Sequence, residues 1–378
     1  MAINETISAC LITKNEAVHL PDCLSSLKDR VDEIVIVDTG SSDNTIELAT
    51  AAGAVVLNRP WDDDFSAPRN MGLDAATSDW ILYIDADERL SAPGTGSIAS
   101  LLPGHEASAA RLRLQPSVGS TCYSELRLFR NDARIRFRQI MHERVVEAVR
   151  EVCAADGTVV GPALDICLHH VGYEGDQSHK HARNLPILRK AILRNPERVY
   201  CWFHLGVTLD AIGERAEAVA SLNRAIEKAH AGGIAEELNI AATCHQVLAG
   251  IAMDTQNPAD ALRHAELGLE IRQSHYTLLW AKARALAQLG QLDAAIAILE
   301  MIVSIDPEVF FDHEASFKKS VFREDSHGLL GSCKFMQGQF EPAARHFELA
   351  AVYSGGDLEY VSKAALCGAR LGKVGNNS

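Results

Sequence analysis

The sequence has little positive charge. Its 378 residues carry 36 Lys and Arg against 50 Asp and Glu, which gives a formal net charge of −14. A protein that binds the nucleic-acid backbone needs a positive surface, so this balance argues against nucleic acid as a partner. It also argues against adhesion to an anionic membrane unless a local basic patch exists. An anionic ligand would have to be bound through a metal ion or a cluster of cations.

Signals for export, membrane insertion and cysteine chemistry are also missing. The first residues lack the basic segment and long apolar run of a secretory signal. No stretch approaches the roughly 20 apolar residues of a spanning helix, so we expect a cytoplasmic protein with no transmembrane segment. The nine cysteines are odd in number and include no CxxC pair. This argues against a zinc site or a thioredoxin motif and favours small buried residues in a reducing compartment.

The first half of the chain alternates between strand and helix patterns. Short apolar runs predict strands at 7–13, 32–38, 54–59 and 79–85. Helical spacing of apolar residues predicts helices between them, at 18–28, 45–52 and 66–75. This order predicts a mostly parallel sheet with helices on both faces. Four shorter strand patterns between 109 and 172, including 135–137, predict a second, mixed part of the same domain.

The second half is almost entirely helical in pattern. Four helix–turn–helix units are centred on the turn residues Gly213, Asn257, Gly290 and Gly338. Each turn is followed by a small residue at helical spacing, namely Ala218, Ala261, Ala294 and Ala344. The pattern resembles tetratricopeptide repeats, whose period is about 34 residues. The alternative is a generic helical bundle. We therefore predict a catalytic domain over 1–175, a basic linker helix over 176–195 and a helical-repeat domain over 196–378.

Two carboxylates follow the fourth predicted strand, in the segment YIDADE. Asp85 and Asp87 are two residues apart, so in an extended segment both side chains would point into the same space. Ligands of open α/β sheets bind beyond the C-terminal ends of the strands, where this pair lies. Two hard oxygen ligands suit Mg²⁺ or Mn²⁺, and such an ion would neutralise a departing diphosphate. The alternative is a solvated acidic turn.

A third carboxylate, Asp38, ends the second predicted strand and precedes the segment TGSSDNT. At the C-terminal edge of the sheet it could accept hydrogen bonds from a nucleobase imide or a ribose hydroxyl. Ser41, Ser42 and Asp43 are suitable caps for the helix that begins near Thr45. The first strand is followed by TKNE rather than by GxGxxG, which disfavours a dinucleotide cofactor.

Four ordered blocks together resemble the family 2 glycosyltransferases of the GT-A fold. They lie within about residues 5–172 and read CLITKNEAVHLPDCLSSL, DEIVIVDTGSSDNT, WDDDFSAPRNMGLDAATSDWILYIDADE and LRLFRN with MHE. The resemblance implies a hexosyltransferase-like enzyme that uses a nucleoside-diphosphate sugar, most often a UDP-sugar, with Mn²⁺ or Mg²⁺ and inversion at the anomeric carbon. The helical extension resembles that of bacterial members, including peptide S-glycosyltransferases of the sublancin type.

The resemblance also implies a role for each matching position of the donor site. Thr13 and Glu16 would line the nucleotide pocket, and Asp38 would contact the base. Arg69, in the ARN block, would hold the base or a phosphate. Asp85 would face the ribose and the sugar, whereas Asp87 would bind the metal.

Glu143, in the MHE block, occupies the place where the family usually has its general base. The sequence departs there from the commoner Glu-Asp pair, which leaves two alternatives. Glu143 could instead form an ion pair with Arg138 or Arg144. The base would then lie elsewhere, for example in the segment 62–64 of the WDDDF loop.

Three histidines and one basic segment are further candidates. His170 follows an apolar strand and could complete the metal shell opposite Asp87, whereas His169 would point to the other side and is interpreted as structural. His142 is adjacent to Glu143 and could orient it or contact the acceptor. In the basic linker helix, Lys180 or Arg183 could approach the diphosphate as part of a lid; the alternative is a solvated helix.

The sequence leaves the acceptor open. Repeat domains usually present a concave surface to peptides, which favours a peptide or protein acceptor, with an envelope glycan as the alternative. A rival hypothesis is a nucleotidyltransferase that makes a nucleotide-sugar, but its first loop would be Gly-rich and basic. A second rival is a catalytically dead scaffold, against which the joint presence of the candidate acids and Arg69 argues.

Overall fold

The structure is a computed structural model that describes residues 5–141, 143–172 and 178–375. The chain divides into two compact units. The first unit comprises residues 1–177 together with the short segment 311–316, and the second comprises 178–310 and 317–378.

The first unit is built on one eight-stranded sheet in the order β3-β2-β1-β4-β7-β6-β8-β5. Its strands are β1 Ile7–Thr13, β2 Glu33–Asp38, β3 Val55–Asn58, β4 Trp80–Tyr83, β5 Glu88–Ser91, β6 Ala107–Gln115, β7 Tyr123–Arg130 and β8 Val159–His170. The pairs β3–β2, β2–β1, β1–β4 and β6–β8 are parallel. The pairs β4–β7, β7–β6 and β8–β5 are antiparallel. The expected mixed, mostly parallel sheet is therefore confirmed.

Helices pack on both faces of this sheet. They are α1 Leu20–Leu27, α2 Thr45–Ala51, α3 Ser66–Ala75 and α4 Val146–Asp156. Strand β1 shows how the two cores are separated, because Ile7 and Leu11 pack in one buried cluster with α1, whereas Cys10 packs in another with α3 and α4. Successive side chains of a strand point to opposite faces, so a continuous apolar run serves both cores.

The predicted strand at 135–137 is wrong. This segment is irregular, although Ile135 and Phe137 bury their side chains. The Asn70 side chain donates to the Phe137 carbonyl at 2.9 Å and accepts from its N–H at 2.7 Å. One amide side chain of α3 thus replaces the strand partner that a buried backbone would otherwise need.

The segment 311–316 completes the first unit from a distant part of the chain. The Ser124 hydroxyl donates to the His313 carbonyl at 2.8 Å, and the Ser316 hydroxyl donates to the Thr121 carbonyl at 2.6 Å. Phe311 forms a parallel bridge with Cys122. The segment therefore adds hydrogen bonds and a strand-like bridge around the start of β7.

The second unit consists of helices. They are α5 Ser178–Arg194, α6 Val199–Ala211, α7 Arg215–Gly232, α8 Ala235–Asp254, α9 Pro258–Ile271, α10 Tyr276–Gln288, α11 Leu292–Val303, α12 Glu324–Met336, α13 Phe340–Tyr353 and α14 Leu358–Gly375. From α6 to α13 they pair as four helix hairpins, which confirms the predicted repeat units. None of the helices in the described ranges is long and apolar enough to cross a membrane.

The hairpin turns share one register. In each, a residue with positive φ precedes a fully buried alanine by five positions: Gly213 and Ala218, Gln256 and Ala261, Gly290 and Ala295, Gly338 and Ala343. Two predicted alanines, Ala294 and Ala344, are therefore wrong by one residue. Asn257 is the N-cap of α9 rather than the left-handed turn residue, since its side chain accepts the Asp260 N–H.

Two hairpins carry the same kind of histidine pair, in which every ring except the half-buried His346 is buried. The Nδ1 atoms of His245 and His264 are 3.0 Å apart, and so are those of His327 and His346. In each pair one imidazole must donate and the other accept. Burial, and then the neighbouring histidine, lowers the pKa of His245 and of His327 to about 4. The pairs are therefore neutral hydrogen-bonded contacts between paired helices.

The cysteines behave as expected from their spacing. Six of the nine are buried, and the other three are partly exposed. Burial raises the pKa of the Cys10 thiol to about 12, so it is not a nucleophile at neutral pH.

Candidate active site

The ends of β1 and β2 place Thr13 and Asp38 side by side. The two residues are register partners, and both are buried. The Asp38 carboxylate accepts the N–H groups of Gly40 and Ser41 at 2.9 Å, the Ser41 hydroxyl at 2.5 Å and the Thr13 hydroxyl at 3.3 Å. A carboxylate has about four acceptor sites, and these four donors occupy them. Asp38 therefore fixes the conformation of the loop that follows it. A contact between Asp38 and a base would have to replace one of these donors.

The loop after β1 is tied to the loop after β2. Asn15, which has a φ of 57°, donates its N–H to the Ser41 hydroxyl at 2.8 Å. Glu16 donates its N–H to the Thr45 hydroxyl, also at 2.8 Å. Residues with positive φ are uncommon outside glycine, and asparagine tolerates this conformation best. The two loops thus form one ordered rim at the C-terminal edge of the sheet, with Thr13 and Glu16 on it.

The three predicted helix caps have different functions. Asp43 accepts the Thr45 N–H at 3.1 Å, next to the N-cap residue Asn44 of α2. Ser41 and Ser42 instead bind the first loop, since Ser42 donates its N–H to the Asn15 side chain at 2.8 Å. The cap prediction is therefore wrong for the two serines and one residue early for Asp43, because Asn44 is the N-cap residue of α2.

Asp85 and Asp87 do not lie in an extended segment, which corrects the expectation from spacing. The chain turns between β4 and β5, and Glu88 donates its N–H to the Asp85 carbonyl at 3.0 Å. In return, the Asp85 N–H donates to the Glu88 carboxylate at 2.9 Å. The turn gives the two aspartates different partners, Arg69 for Asp85 and His170 for Asp87.

Arg69 links Asp85 to Glu143. Its Nη2 donates to Asp85 Oδ1 at 2.8 Å, and its Nε donates to Glu143 Oε1 at 2.5 Å. The Arg69 side chain is only 9% exposed, and its guanidinium lies 5.4 Å from the centres of the Tyr83 and Phe137 rings. This cation therefore holds two acids that are far apart in the sequence.

This arrangement corrects the alternative ion pair of Glu143. Arg138 forms hydrogen bonds of 2.7 and 2.6 Å to Glu151 on α4. Glu143 instead pairs with Arg69. The Arg144 main chain pairs with that of Arg138, which shapes the loop around Glu143.

The charges of the bridge are mutually stabilised. Burial alone would raise the pKa of Asp85, but Arg69 and Arg127 more than offset it and hold this pKa at about 2. Burial opposes the charge on Arg69, yet Asp85 and Glu143 raise its pKa above the ordinary value. Asp85 is therefore ionised at neutral pH, in the form that a cation or a ribose hydroxyl would bind.

Asp87 meets His170 at the junction of β5 and β8. His170 Nε2 lies 3.3 Å from Asp87 Oδ2, and the Gly172 N–H donates to His170 Nδ1 at 3.2 Å. Because Nδ1 accepts, Nε2 of the neutral ring carries the hydrogen and points it at Asp87. A Cβ on residue 172 would lie 1.9 Å from Asp87 Oδ2, so the main chain approaches this carboxylate as only glycine allows.

The donor set fits a hard divalent cation in part. Asp87 offers carboxylate oxygens, but the described residues contain no cluster of three or more His, Cys, Asp or Glu groups that could hold a metal. Water and phosphate oxygens would have to supply the other positions, as is usual for Mg²⁺. His170 could coordinate through Nε2 only in the other tautomer, which would lose the hydrogen bond from Gly172.

The loop before α3 packs against the segment that leads to Glu143. Phe65 donates its N–H to the Ile140 carbonyl at 2.9 Å, and the Ser66 hydroxyl donates to the Gln139 carbonyl at 2.5 Å. Gln139 and Asp63 both have positive φ, at 85° and 63°. Such strained residues persist only where the surroundings hold them, and they are frequent at functional sites.

The remaining candidates have other recorded partners or lie outside the described residues. His169 binds the Gln115 side chain at 2.7 Å, in agreement with a structural role. Arg183 is exposed on α5, in the second unit, and donates to Asn184 at 3.0 Å. His142 and the side chain of Lys180 lie outside the described residues.

The chain is similar in sequence to known protein families. The profile described as "Glycosyl transferase family 2" matches residues 8–102. This chain carries a family 2 glycosyltransferase domain. Two profiles described as "Tetratricopeptide repeat" match residues 199–227 and 252–312. The glycosyltransferase domain has the GT-A fold, and tetratricopeptide-like repeats follow it.

Curated relatives include a protein described by its tetratricopeptide repeats and a protein described as a glycosyltransferase. A TPR repeat-containing protein of Synechococcus elongatus is 37% identical over 228 residues, which are 59% of this chain and 57% of that protein. The prophage-derived glycosyltransferase SunS of Bacillus subtilis is 26% identical over 230 residues, or 58% of this chain and 53% of SunS. The chain thus spans little more than half the length of these relatives.

Solved structures that match part of the chain include glucosyl-3-phosphoglycerate synthase of Mycobacterium tuberculosis. It was crystallised in complex with Mn²⁺, uridine diphosphate and glucosyl-3-phosphoglycerate. It is 17% identical, covers 50% of this chain and 80% of its own, and has a TM-score of 0.36.

The match to the glycosyltransferase domain includes some of the site residues. Residues 8–102 contain Thr13, Asp38, Arg69 and the Asp85–Asp87 turn. Glu143 and His170 lie beyond the matched range, and the fold brings both to the cluster through Arg69 and Asp87.

Sequence reasoning overlooked two charged residues of the glycosyltransferase domain. Glu88 is fully buried and receives hydrogen bonds of 2.9 and 3.2 Å from Arg127 on β7. Burial raises the pKa of Glu88, and Arg127 opposes the rise. A signal was present, because an Arg within the apolar strand pattern SELRLF needs a buried counter-charge.

Proposed function

We propose that this chain is a metal-dependent, inverting glycosyltransferase that uses a nucleoside-diphosphate sugar, with UDP as the nucleotide. One observation carries the proposal. Arg69 joins Asp85, at the end of β4, to Glu143, which matches the place of the family's general base. A donor-site acid and a candidate base thus meet at one buried cation, beyond the carboxyl ends of the parallel strands.

The reaction is a displacement at the anomeric carbon. Glu143 accepts the proton of an acceptor hydroxyl or thiol while the acceptor atom forms its bond to that carbon. The bond from the anomeric carbon to the diphosphate oxygen breaks, and the nucleoside diphosphate leaves. Arg69 holds Oε1 of Glu143, so the proton is taken by Oε2. Thr13, Glu16 and Asp38 bind the nucleoside at the rim of β1 and β2.

Asp87 is the residue that would hold Mn²⁺ or Mg²⁺, with Asp85 facing the ribose and the sugar. When bound, the ion neutralises the charge that develops on the leaving diphosphate. His170 supports this site through its contact with Asp87, as a metal ligand or as a donor to the carboxylate. Lys180 and Arg183 of α5 belong to a lid that contacts the diphosphate.

The repeats supply acceptor recognition. Stacks of tetratricopeptide-like hairpins leave a concave surface that suits an extended peptide, so we infer a peptide or protein acceptor in the cytoplasm. An envelope glycan is the second candidate, since its assembly also begins from nucleotide-sugars. The domains that we propose are a donor-binding domain over 1–175, a linker helix over 176–195 and the repeats over 196–378.

The test is slow release of UDP from UDP-sugars by the purified chain, after a thermal-shift screen of nucleotide-sugars with Mn²⁺. We expect release to stop in excess EDTA and in Asp87→Ala, while the variant keeps the melting temperature of the wild type. Full activity in EDTA refutes the metal. Formation of a nucleotide-sugar from a triphosphate would indicate the nucleotidyltransferase, and a chain that neither binds nor cleaves any donor would indicate a dead scaffold.

A further inference from the structure

A second buried ion pair adjoins the Asp85–Asp87 turn. Glu88 is 0% exposed, and the Arg127 side chain is 7% exposed. Arg127 binds both oxygens of the Glu88 carboxylate, and its Nε also donates to Glu125 at 3.1 Å. Replacing a buried ion pair by apolar residues is often neutral or stabilising. Fold stability alone therefore gives no reason for this pair.

Glu88 touches the turn through both its main chain and its side chain. Its N–H donates to the Asp85 carbonyl at 3.0 Å, and its Oε2 accepts the Asp85 N–H at 2.9 Å. The same Oε2 accepts from Arg127 at 3.2 Å. The orientation of the Glu88 carboxylate, and with it the closure of the turn, thus depends on Arg127.

Glu88 also begins the strand that aligns Asp87 with His170. It is the first residue of β5 and the register partner of His170 on β8. The Asp87 carbonyl accepts the Val171 N–H at 2.9 Å, next to the side-chain contact between Asp87 and His170. A shift of Glu88 would therefore move the main chain on both sides of Asp87.

Arg127 is coupled to the other half of the site through Tyr83. Its guanidinium lies 4.5 Å from the centre of the Tyr83 ring, and that of Arg69 lies 5.4 Å from the same ring. Cations are attracted to the face of an aromatic ring at such distances. Both arginines thus pack on one side chain of β4, immediately before the turn.

We propose that Glu88 and Arg127 are positioning residues that set the geometry of Asp85 and Asp87 for the donor diphosphate and its divalent cation. The proposal rests on the proposed function, because it names what the turn must hold. Arg127 fixes the Glu88 carboxylate, Glu88 closes the turn, and the turn presents Asp87. Partners of this kind behind a metal ligand typically change metal affinity by about 10-fold to 100-fold when mutated.

The experiment uses two variants of the full chain. Arg127→Lys keeps a positive charge but cannot form the two-pronged contact with Glu88. The double variant Glu88→Gln with Arg127→Met removes both charges, so that neither is left buried and unpaired. Arg134→Met is the matched control, because Arg134 also binds two carboxylates, Asp132 and Asp156, but on the exposed surface of the same unit.

Three readouts separate positioning from stability. They are the melting temperature, the affinity for UDP measured by calorimetry at saturating Mn²⁺, and Mn²⁺ binding in the presence of UDP measured by electron paramagnetic resonance. We expect both changes at Glu88 and Arg127 to weaken Mn²⁺ and UDP binding by about 10-fold or more, at a melting temperature close to that of the wild type. The control should match the wild type in all three.

Wild-type affinity in a folded double variant, or in Arg127→Lys, overturns the positioning role. If the double variant does not fold, Arg127→Lys alone decides: weakened binding supports the role, and unchanged binding refutes it. Failure of the wild type itself to bind UDP with Mn²⁺ would count against the proposed function instead, so the two failures are distinguishable.

Discussion

Replacing Arg69 by methionine tests the central bridge most directly. The change removes the cation that Asp85 and Glu143 share and leaves two carboxylates in a largely buried place. Removing one partner of a buried ion pair typically costs about 3–5 kcal/mol. We expect a loss of this size in the free energy of unfolding at pH 7, and loss of UDP release from the donor.

The pH dependence gives a second, independent figure. The pKa of Asp85 is about 2 in the folded chain, against an ordinary value near 3.9. This difference corresponds to roughly 2.6 kcal/mol at pH 7, and since the side chain is one-third exposed we reduce it to about 1–2 kcal/mol. A lowered pKa stabilises the fold above pH 4, and the contribution is lost as the pH falls toward 2. The difference in the free energy of unfolding between the wild type and Arg69→Met should therefore decrease as the pH falls from 4 toward 2.

The assay is unfolding in urea, monitored by the hydrogen exchange of peptides from β1 and β4. Local probes are needed because a chain of two units does not unfold in one step. Arg134→Met serves as the exposed control and should unfold with the wild type. Two results would show that the bridge does not stabilise these acids. One is a decrease of less than about 1 kcal/mol in the free energy of unfolding of Arg69→Met. The other is a difference between wild type and variant that is the same at pH 7 and pH 3.

Three further outcomes are expected. Glu143→Gln should abolish transfer but keep UDP binding by calorimetry, and near-normal transfer would assign the base elsewhere, for example to segment 62–64. Acidification from about pH 6.5 toward 4 should destabilise the repeats by on the order of 2 kcal/mol per histidine pair. The reason is that the lowered pKa values of His245 and His327 favour the neutral rings in the folded form. If a variant with both His245→Gln and His327→Gln shows the same pH dependence of its melting temperature, this reasoning is contradicted. A fragment of residues 1–175 should bind UDP with Mn²⁺ but have a lower melting temperature than the full chain. An equal melting temperature would contradict the role of 311–316.

The parts of the fold with strong periodic patterns could be predicted from the sequence. Strand β1 and helix α3 begin and end where expected, because their apolar residues serve buried faces with a clear period. Strand β5 was not predicted. It has only four residues, reads ERLS, and pairs with β8 alone, so its charged first residue hides a strand that tertiary contacts create. Helix α4 was missed although Ala148, Val149 and Val152 form its buried face.

The individual acids of the site could be predicted, but not their partners. Asp85 and Glu143 both follow recognisable patterns, yet each is held by Arg69, which is 16 and 74 residues away from them. A contact of this kind depends on how a helix and a loop pack at one edge of the sheet. Spacing therefore suggested a nearby arginine for Glu143, whereas the fold supplies a distant one.

The segment 311–316 has a consequence for the order in which the protein can be completed during synthesis. It follows Gln177 by about 130 residues, and a ribosome that adds ~5–20 residues per second needs roughly 7–27 seconds to reach it. Until then the carbonyl of Thr121 and the hydroxyl of Ser124 lack the partners that this segment provides. The glycosyltransferase domain is therefore finished only after most repeat helices have left the ribosome, so a nascent chain that stalls among them carries an unfinished catalytic unit.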